Sequence, residues 1–120
     1  MSDIAYKMEY LGGHAAYPGH FPITLCLRDH SFDIPEMKIN ITYTNISEVS
    51  NMDAEKLSAG RVLVLGVIGA LWKKKERYLL IRYHDNIQSQ SLILKGPGLE
   101  KIQHDLYSRY VSDKQPLTPP

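Results

Sequence analysis

Residues Arg61–Tyr83, RVLVLGVIGALWKKKERYLLIRY, decide how the chain reads. Two apolar runs, Val62–Trp72 and Tyr78–Tyr83, flank the short basic hinge Lys73–Arg77. Apolar runs that meet at a charged connection of about five residues predict a buried β-hairpin, because hairpin loops are commonly that short. From Val62 to Leu71 there is no polar residue, so periodicity alone does not separate strand from helix there. The β-branched Val62, Val64, Val67 and Ile68 favour strand, and Gly66 and Gly69 predict a bend or bulge within it.

Upstream, the chain repeats with a period of two. Tyr6, Met8 and Tyr10 alternate with Lys7 and Glu9, predicting a short strand that ends at Gly12–Gly13. The Gly- and Pro-rich segment that follows reads as a loop anchored by Tyr17 and Phe21. Ile23, Leu25 and Leu27 mark a half-buried strand, Asp29–His30 a turn, and Phe32 and Ile34 a continuation up to Pro35. Ile39, Ile41 and Tyr43 give the clearest alternation, and Ile46 and Val49 a further short strand. Asn51–Gly60 has little period and reads as a loop with room for one helical turn.

Downstream, His84–Asp85–Asn86 reads as a turn and Ile87–Leu94 as the last strand, with Gln88, Gln90, Leu92 and Leu94 on one side. Gly96–Pro97–Gly98 then sets up a helix, Pro97 suiting its first turn. Leu99, Ile102, Leu106 and Tyr110 follow at spacings of three, four and four, which is one apolar stripe. Tyr107 and Val111 lie beside it and could extend it to a partner. Gln115–Pro120 holds three prolines and reads as a frayed tail.

At 120 residues, with 43% hydrophobic and 22% charged residues, the chain fits one globular domain rather than a disordered one. The lone Cys26 allows no intrachain disulfide, and the opening MSDIAYKMEY lacks the basic and apolar regions of a secretory signal. Val62–Trp72 is eleven residues, short of the roughly 20 a spanning helix needs. These features predict a cytoplasmic protein. The net charge of +1 hides a segregation: residues 1–55 carry 3 − 8 = −5, residues 56–82 carry 7 − 1 = +6, and residues 83–120 carry 4 − 4 = 0. If those classes reach separate faces, a head-to-tail contact between copies follows.

Strands in sequence followed by one amphipathic C-terminal helix resemble the pleckstrin-homology-like (PH-like) fold, and more specifically the bacterial PH-domain family. The residues that carry the resemblance are Tyr10-Leu11-Gly12-Gly13-His14, the strand, polar turn and Ile-x-x-Val of Ile39–Val49, Arg61–Tyr83, and the terminal helix. The resemblance covers roughly residues 8 to 111 and implies a mainly β barrel or sandwich of about seven antiparallel strands capped by one C-terminal α-helix. It places a single domain at 6–111 and a Pro-rich tail at 112–120. It also implies a non-enzymatic domain, sometimes self-associating. Phosphoinositide-binding members of the wider superfamily carry a Lys-x-Arg-type motif in the first inter-strand loop. Here that loop is either Gly12–Phe21, with no Lys or Arg, or the acidic Asp29–Ser31, so no lipid-binding residues carry over.

The candidate contact for an anionic surface is Trp72, Lys73, Lys74, Lys75 and Arg77, an amphipathic ring beside clustered cations. The simpler reading is a solvated hairpin tip whose lysines discourage edge aggregation, because four cations are too few for stable anchoring alone. The histidines lack ligand spacing, and His14-x5-His20 is a weak metal signal in a Gly/Pro loop. His84–Asp85 reads as turn chemistry rather than a base and its orienter. Gly12–Gly13 and Gly96-x-Gly98 lack the elements of a phosphate cradle, and Asn40-Ile-Thr and Asn45-Ile-Ser read as accidental glycosylation matches. No catalytic residue, cofactor or metal is expected, and neither is nucleic acid. The expected function is a protein-interaction module whose partner is an unknown protein or a second copy. The alternative is a peripheral membrane or anionic-ligand module using Trp72–Arg77. A third reading places a small apolar ligand inside the barrel.

Overall fold

The computed structural model describes residues 3–53 and 77–114. Seven strands form one antiparallel sheet: β1 (Ile4–Gly12), β2 (Phe21–Leu27), β3 (Ser31–Ile34), β4 (Ile39–Thr42), β5 (Ile46–Asp53), β6 (Arg77–His84) and β7 (Ser89–Lys95). A helix, α1 (Leu99–Lys114), follows. Short 3-10 turns at Pro35–Met37 and Tyr43–Asn45 join β3 to β4 and β4 to β5.

The sheet order is β4-β3-β2-β1-β7-β6-β5, so β4 and β5 lie at opposite ends of the row. A flat row of seven strands at the usual spacing would separate them by about 29 Å. Only Tyr43–Asn45 connect them, and four residue steps reach at most about 14 Å. The row therefore folds over on itself into a sandwich that does not close into a barrel. With α1 packed on β5, β6 and the Tyr43–Asn45 turn, this is a mainly β, PH-like sandwich with one C-terminal helix.

The inward residues are those the alternation marked. Met8 and Tyr10 of β1, Ile23, Leu25 and Leu27 of β2, and Phe32 and Ile34 of β3 are buried in one cluster with Leu99, Ile102 and Leu106 of α1. Tyr110 packs against it partly buried. Two further contacts tie the helix down. Tyr6 Oη donates to Asp105 Oδ2 at 3.1 Å, and the buried Arg109 bonds both Asp105 Oδ1 (2.9 Å) and the Arg28 carbonyl (3.1 Å). Tyr43 Oη donates to the same carbonyl at 2.7 Å, and burial pushes the Tyr43 pKa up to about 12.

Several expectations are corrected. β6 pairs with β5 on one side (Val49↔Ile81) and with β7 on the other (Ile81↔Leu92), whereas the sequence predicts its hairpin partner in Val62–Trp72. That run itself lies outside the described residues. Pairing to a strand more than twenty residues upstream leaves no trace in local periodicity. Tyr78 and Leu80 are as fully buried as Leu79 and Ile81 on the opposite face, which explains why this strand is apolar without alternation. Asn51–Asp53, expected in a loop, complete β5 against Arg77–Leu79. Tyr43 leaves the strand for the corner turn. Pro97 precedes α1, which begins at Leu99, and Ser112–Lys114, assigned to the tail, form its last residues. Ile87 belongs to the β6–β7 turn, the strand beginning only at Ser89.

The sheet guards one of its edges. β3 pairs with β2 at Cys26↔Asp33 and Leu27↔Phe32, and among the described residues the first half of β2 has no strand partner on that side. There Pro22 has no N–H, and the Glu36 carboxylate takes the N–H and the hydroxyl of Thr24, both at 2.8 Å. Both devices deny the edge to an incoming strand.

Candidate binding end of the sandwich

Antiparallel alternation brings the β1–β2 loop, the β3–β4 turn and the β6–β7 turn to one end of the sandwich. The β1–β2 loop is held by side chains that its composition supplies. Tyr10, fully buried at the end of β1, accepts a hydrogen bond from the His14 N–H (3.0 Å) and donates to the Tyr17 carbonyl (2.7 Å). Tyr17 Oη donates to the Met37 carbonyl at 2.5 Å, joining this loop to the β3–β4 turn. The Ala15 N–H donates to Gln90 Oε1 at 3.1 Å, joining it to β7. Gly13, at φ +109°, lies so close to β7 that a Cβ there would stand 2.7 Å from the Ser91 carbonyl oxygen. Phe21 stacks on Tyr10 with ring centroids 5.0 Å apart. The loop is anchored by Tyr17 and Phe21 as the sequence indicates, and also by Tyr10.

His14 sits half-buried against Tyr17 and Tyr83, at ring separations of 5.1 and 6.4 Å. Its Nδ1 accepts the Ala16 N–H at 3.0 Å, which places the ring proton on Nε2. Burial lowers its pKa, and the Asp85 carboxylate opposes that shift. Asp85 shapes the β6–β7 turn: its Oδ1 accepts the N–H groups of Ile87 and Gln88, both at 2.8 Å, and its own N–H donates to the Gln88 carbonyl at 3.0 Å. Those amide donors hold its carboxyl below the ordinary range. The carboxylate faces its own turn, as the turn-chemistry reading of His84–Asp85 requires. Beneath His14 the Tyr83 hydroxyl is buried without a hydrogen-bond partner among the described residues, and burial raises its pKa.

Between the loop and the turn lies a cleft of about 340 Å³, lined by Gly13, His14, Tyr17, Pro18, Gln88 and Gln90 among others. Ile87, which precedes the lining residue Gln88 in the chain, is 89% exposed. The described lining of the cleft has the wrong chemistry for an anion. Neither wall contains Lys or Arg, and the four consecutive N–H groups from His14 to Tyr17 are all spent within the fold. A wider depression on the outer face of β1 and β2, about 670 Å³, brings Lys7 and Lys95 together with Glu9 and Glu36, so its charges balance.

Of the anionic-surface candidates, Trp72, Lys73, Lys74 and Lys75 lie outside the described residues. Arg77 is described, and it belongs to β6 rather than to a hinge. Its Nε donates to Asn51 Oδ1 at 2.9 Å, and its Nη1 lies 3.9 Å from Asp53. Arg82 faces Glu48 in the same way at 3.7 Å. Across β5 and β6 the acidic and basic classes thus alternate on neighbouring strands instead of separating onto two faces. Arg77 is also roughly 23 Å along β6 from the end that holds the cleft, at the rise of a strand.

Among the described residues no group of three or more His, Cys, Asp or Glu converges as a metal site, and no helix is long and apolar enough to cross a membrane. Comparison of the chain with models of known protein families, with curated proteins and with solved structures returned no match in any of the three. The cleft and Ile87 were not singled out by sequence reading. One signal pointed there: Tyr10 just before the Gly/Pro segment and Tyr17 within it, whose rings seek burial and whose hydroxyls then seek partners.

Proposed function

We propose that this chain is a non-enzymatic protein-interaction module related to the bacterial PH-domain family, working in the cytoplasm, and that it binds through the end bearing the β1–β2 and β6–β7 connections. The observation that carries this reading is the pairing of a rigidly pinned cleft, with no Lys or Arg among its described lining residues, with a nearly fully exposed Ile87 that precedes the lining residue Gln88 in the chain. Surfaces built in advance lose little freedom on binding, so a partner's contact energy is retained as affinity. An uncharged wall with aromatic and amide side chains suits a protein segment with apolar and hydrogen-bonding groups, not a phosphorylated headgroup.

Selection from a random peptide library tests this. Recovered peptides are expected to bind the intact protein and to lose binding to Ile87→Asp. Recovery of no peptide above background, with salt-sensitive binding to vesicles of anionic lipid instead, would transfer the function to the basic hinge Trp72–Arg77.

A further inference from the structure

His14 holds one wall of the cleft through hydrogen bonds that only one of its protonation states can make in full. Its Nδ1 accepts the Ala16 N–H at 3.0 Å, its own N–H donates to Tyr10 Oη at 3.0 Å, and its carbonyl accepts the Tyr17 N–H at 3.1 Å. Both backbone groups of the residue and one ring nitrogen thus fold residues 14–17 around it. From the middle of that fold the Ala15 N–H reaches across to Gln90 Oε1 at 3.1 Å. Gln90 in turn donates from Nε2 to Asp85 Oδ2 at a long 3.5 Å, and Asp85 Oδ1 holds the N–H groups of Ile87 and Gln88. The imidazole, the loop wall and the turn wall are therefore linked by one run of bonds.

We propose that His14 is a proton switch for the cleft: with Nδ1 unprotonated, residues 14–17 hold the loop wall in place, and a proton on Nδ1 releases it. The proposal rests on the reading of this end as the interaction surface and names its regulation. A proton on Nδ1 turns the acceptor into a donor, so two N–H groups face each other across 3.0 Å and the bond to Ala16 is lost. The groups that face the ring are Tyr10 from β1, Tyr17 from its own loop, Tyr83 from β6 and Asp85 from the β6–β7 turn. The three phenols stay neutral where an imidazole titrates, so among these groups Asp85 supplies the opposing charge. Its Oδ2 is already the acceptor for Gln90, whose amide is the tie to Ala15, so an imidazolium drawn to Asp85 competes with that tie. One proton thus acts on both walls. Burial opposes that proton, so release sets in below the ordinary histidine range and the cleft is intact at neutral pH.

Nuclear magnetic resonance titration of the isotopically labelled full chain from about pH 7.5 to about pH 4.5, with no partner added, is the test. The coupling across the hydrogen bond from Ala16 N to His14 Nδ1 is expected at neutral pH and is expected to vanish at the midpoint read from the His14 ring nitrogens. Through the same midpoint the Ala15 amide is expected to lose about tenfold in protection against exchange, as for one ordinary hydrogen bond, while the amides of β6, paired on both sides, keep theirs. His14→Phe keeps an aromatic ring beside Tyr17 and Tyr83 but has neither nitrogen, so its loop is expected to show the released state at every pH. Titration of His14 that leaves Ala15 and Ala16 unmoved would overturn the proposal, as would the same pH response in His14→Phe. Peptides recovered from the library selection give the binding arm: their affinity for the unmodified chain is expected to fall about tenfold through that midpoint. Affinity that does not vary with pH would overturn the switch and leave the interaction-module reading standing. Recovery of no peptide would remove that reading, while the loop titration would still decide the switch.

Discussion

Removing a single hydroxyl from Tyr10 should loosen the whole binding end, while the same change at Tyr83 should not. Tyr10 Oη accepts from the His14 N–H and donates to the Tyr17 carbonyl, both part-buried. Tyr10→Phe leaves two polar groups without partners, each costing about 1–3 kcal/mol if water does not reach it. Partial access of water to the loop points to the lower part of that range, about 2 kcal/mol in total. A change of that size lowers the melting temperature by roughly 8 °C in a domain of about this length. Tyr83→Phe deletes a buried hydroxyl that has no partner among the described residues, so its effect should be nil or up to about 1 kcal/mol stabilising. Thermal denaturation followed by circular dichroism compares the two, and amide exchange at His14 and Tyr17 reports the local effect. Equal losses for both variants would refute the account of the loop's anchoring.

Two glycines provide a second matched pair. Gly13→Ala meets the Ser91 carbonyl and should cost about 2–4 kcal/mol from strain and overpacking together, whereas Gly19→Ala, with nothing within 4 Å, should cost only about 1 kcal/mol for its positive φ; urea unfolding separates them. Leu106→Ala, in the helix stripe and fully buried, should cost about 2–5 kcal/mol by the same assay, and a smaller loss would make α1 an accessory. His14 is held neutral, its pKa lowered by burial, so the unfolded chain takes up its proton first as pH falls. The stabilisation from His14 is therefore full above its ordinary pKa near 6.5 and is lost below it, with Asp85 moderating the loss. The Ala16 amide resonance, whose acceptor is His14 Nδ1, should report protonation of His14 only below its ordinary pKa, and a midpoint at or above that ordinary value would contradict the assignment.

What could be read from the sequence was whatever local period records. β2 and β3 follow from Ile23 to Ile34 because alternate side chains there face one core, and α1 follows from the spacing of Leu99 to Tyr110. Partners across the sheet were not legible. The neighbour of Tyr78–Tyr83 is Ile46–Asp53, and no residue in either stretch encodes the pairing locally. Ile87 read as the start of the last strand, but the Asp85 carboxylate captures its N–H and keeps it in the turn. Gln90 is buried on the apolar face because Ala15, seventy-five residues upstream, hydrogen-bonds to its side chain. The same long-range contact builds the cleft, so the binding end became visible only in three dimensions.

A partner bound at the end formed by the β1–β2 and β6–β7 connections would perturb the amides of those two connections. Amide chemical-shift mapping of the uniformly labelled chain, titrated with a selected peptide, tests it most directly. The largest shifts are expected on residues 13–20 and 84–90, with smaller ones at Met37 and Lys38, whose turn Tyr17 touches. Shifts confined to the outer edge of β5, or to the Arg77 end of β6, would contradict it.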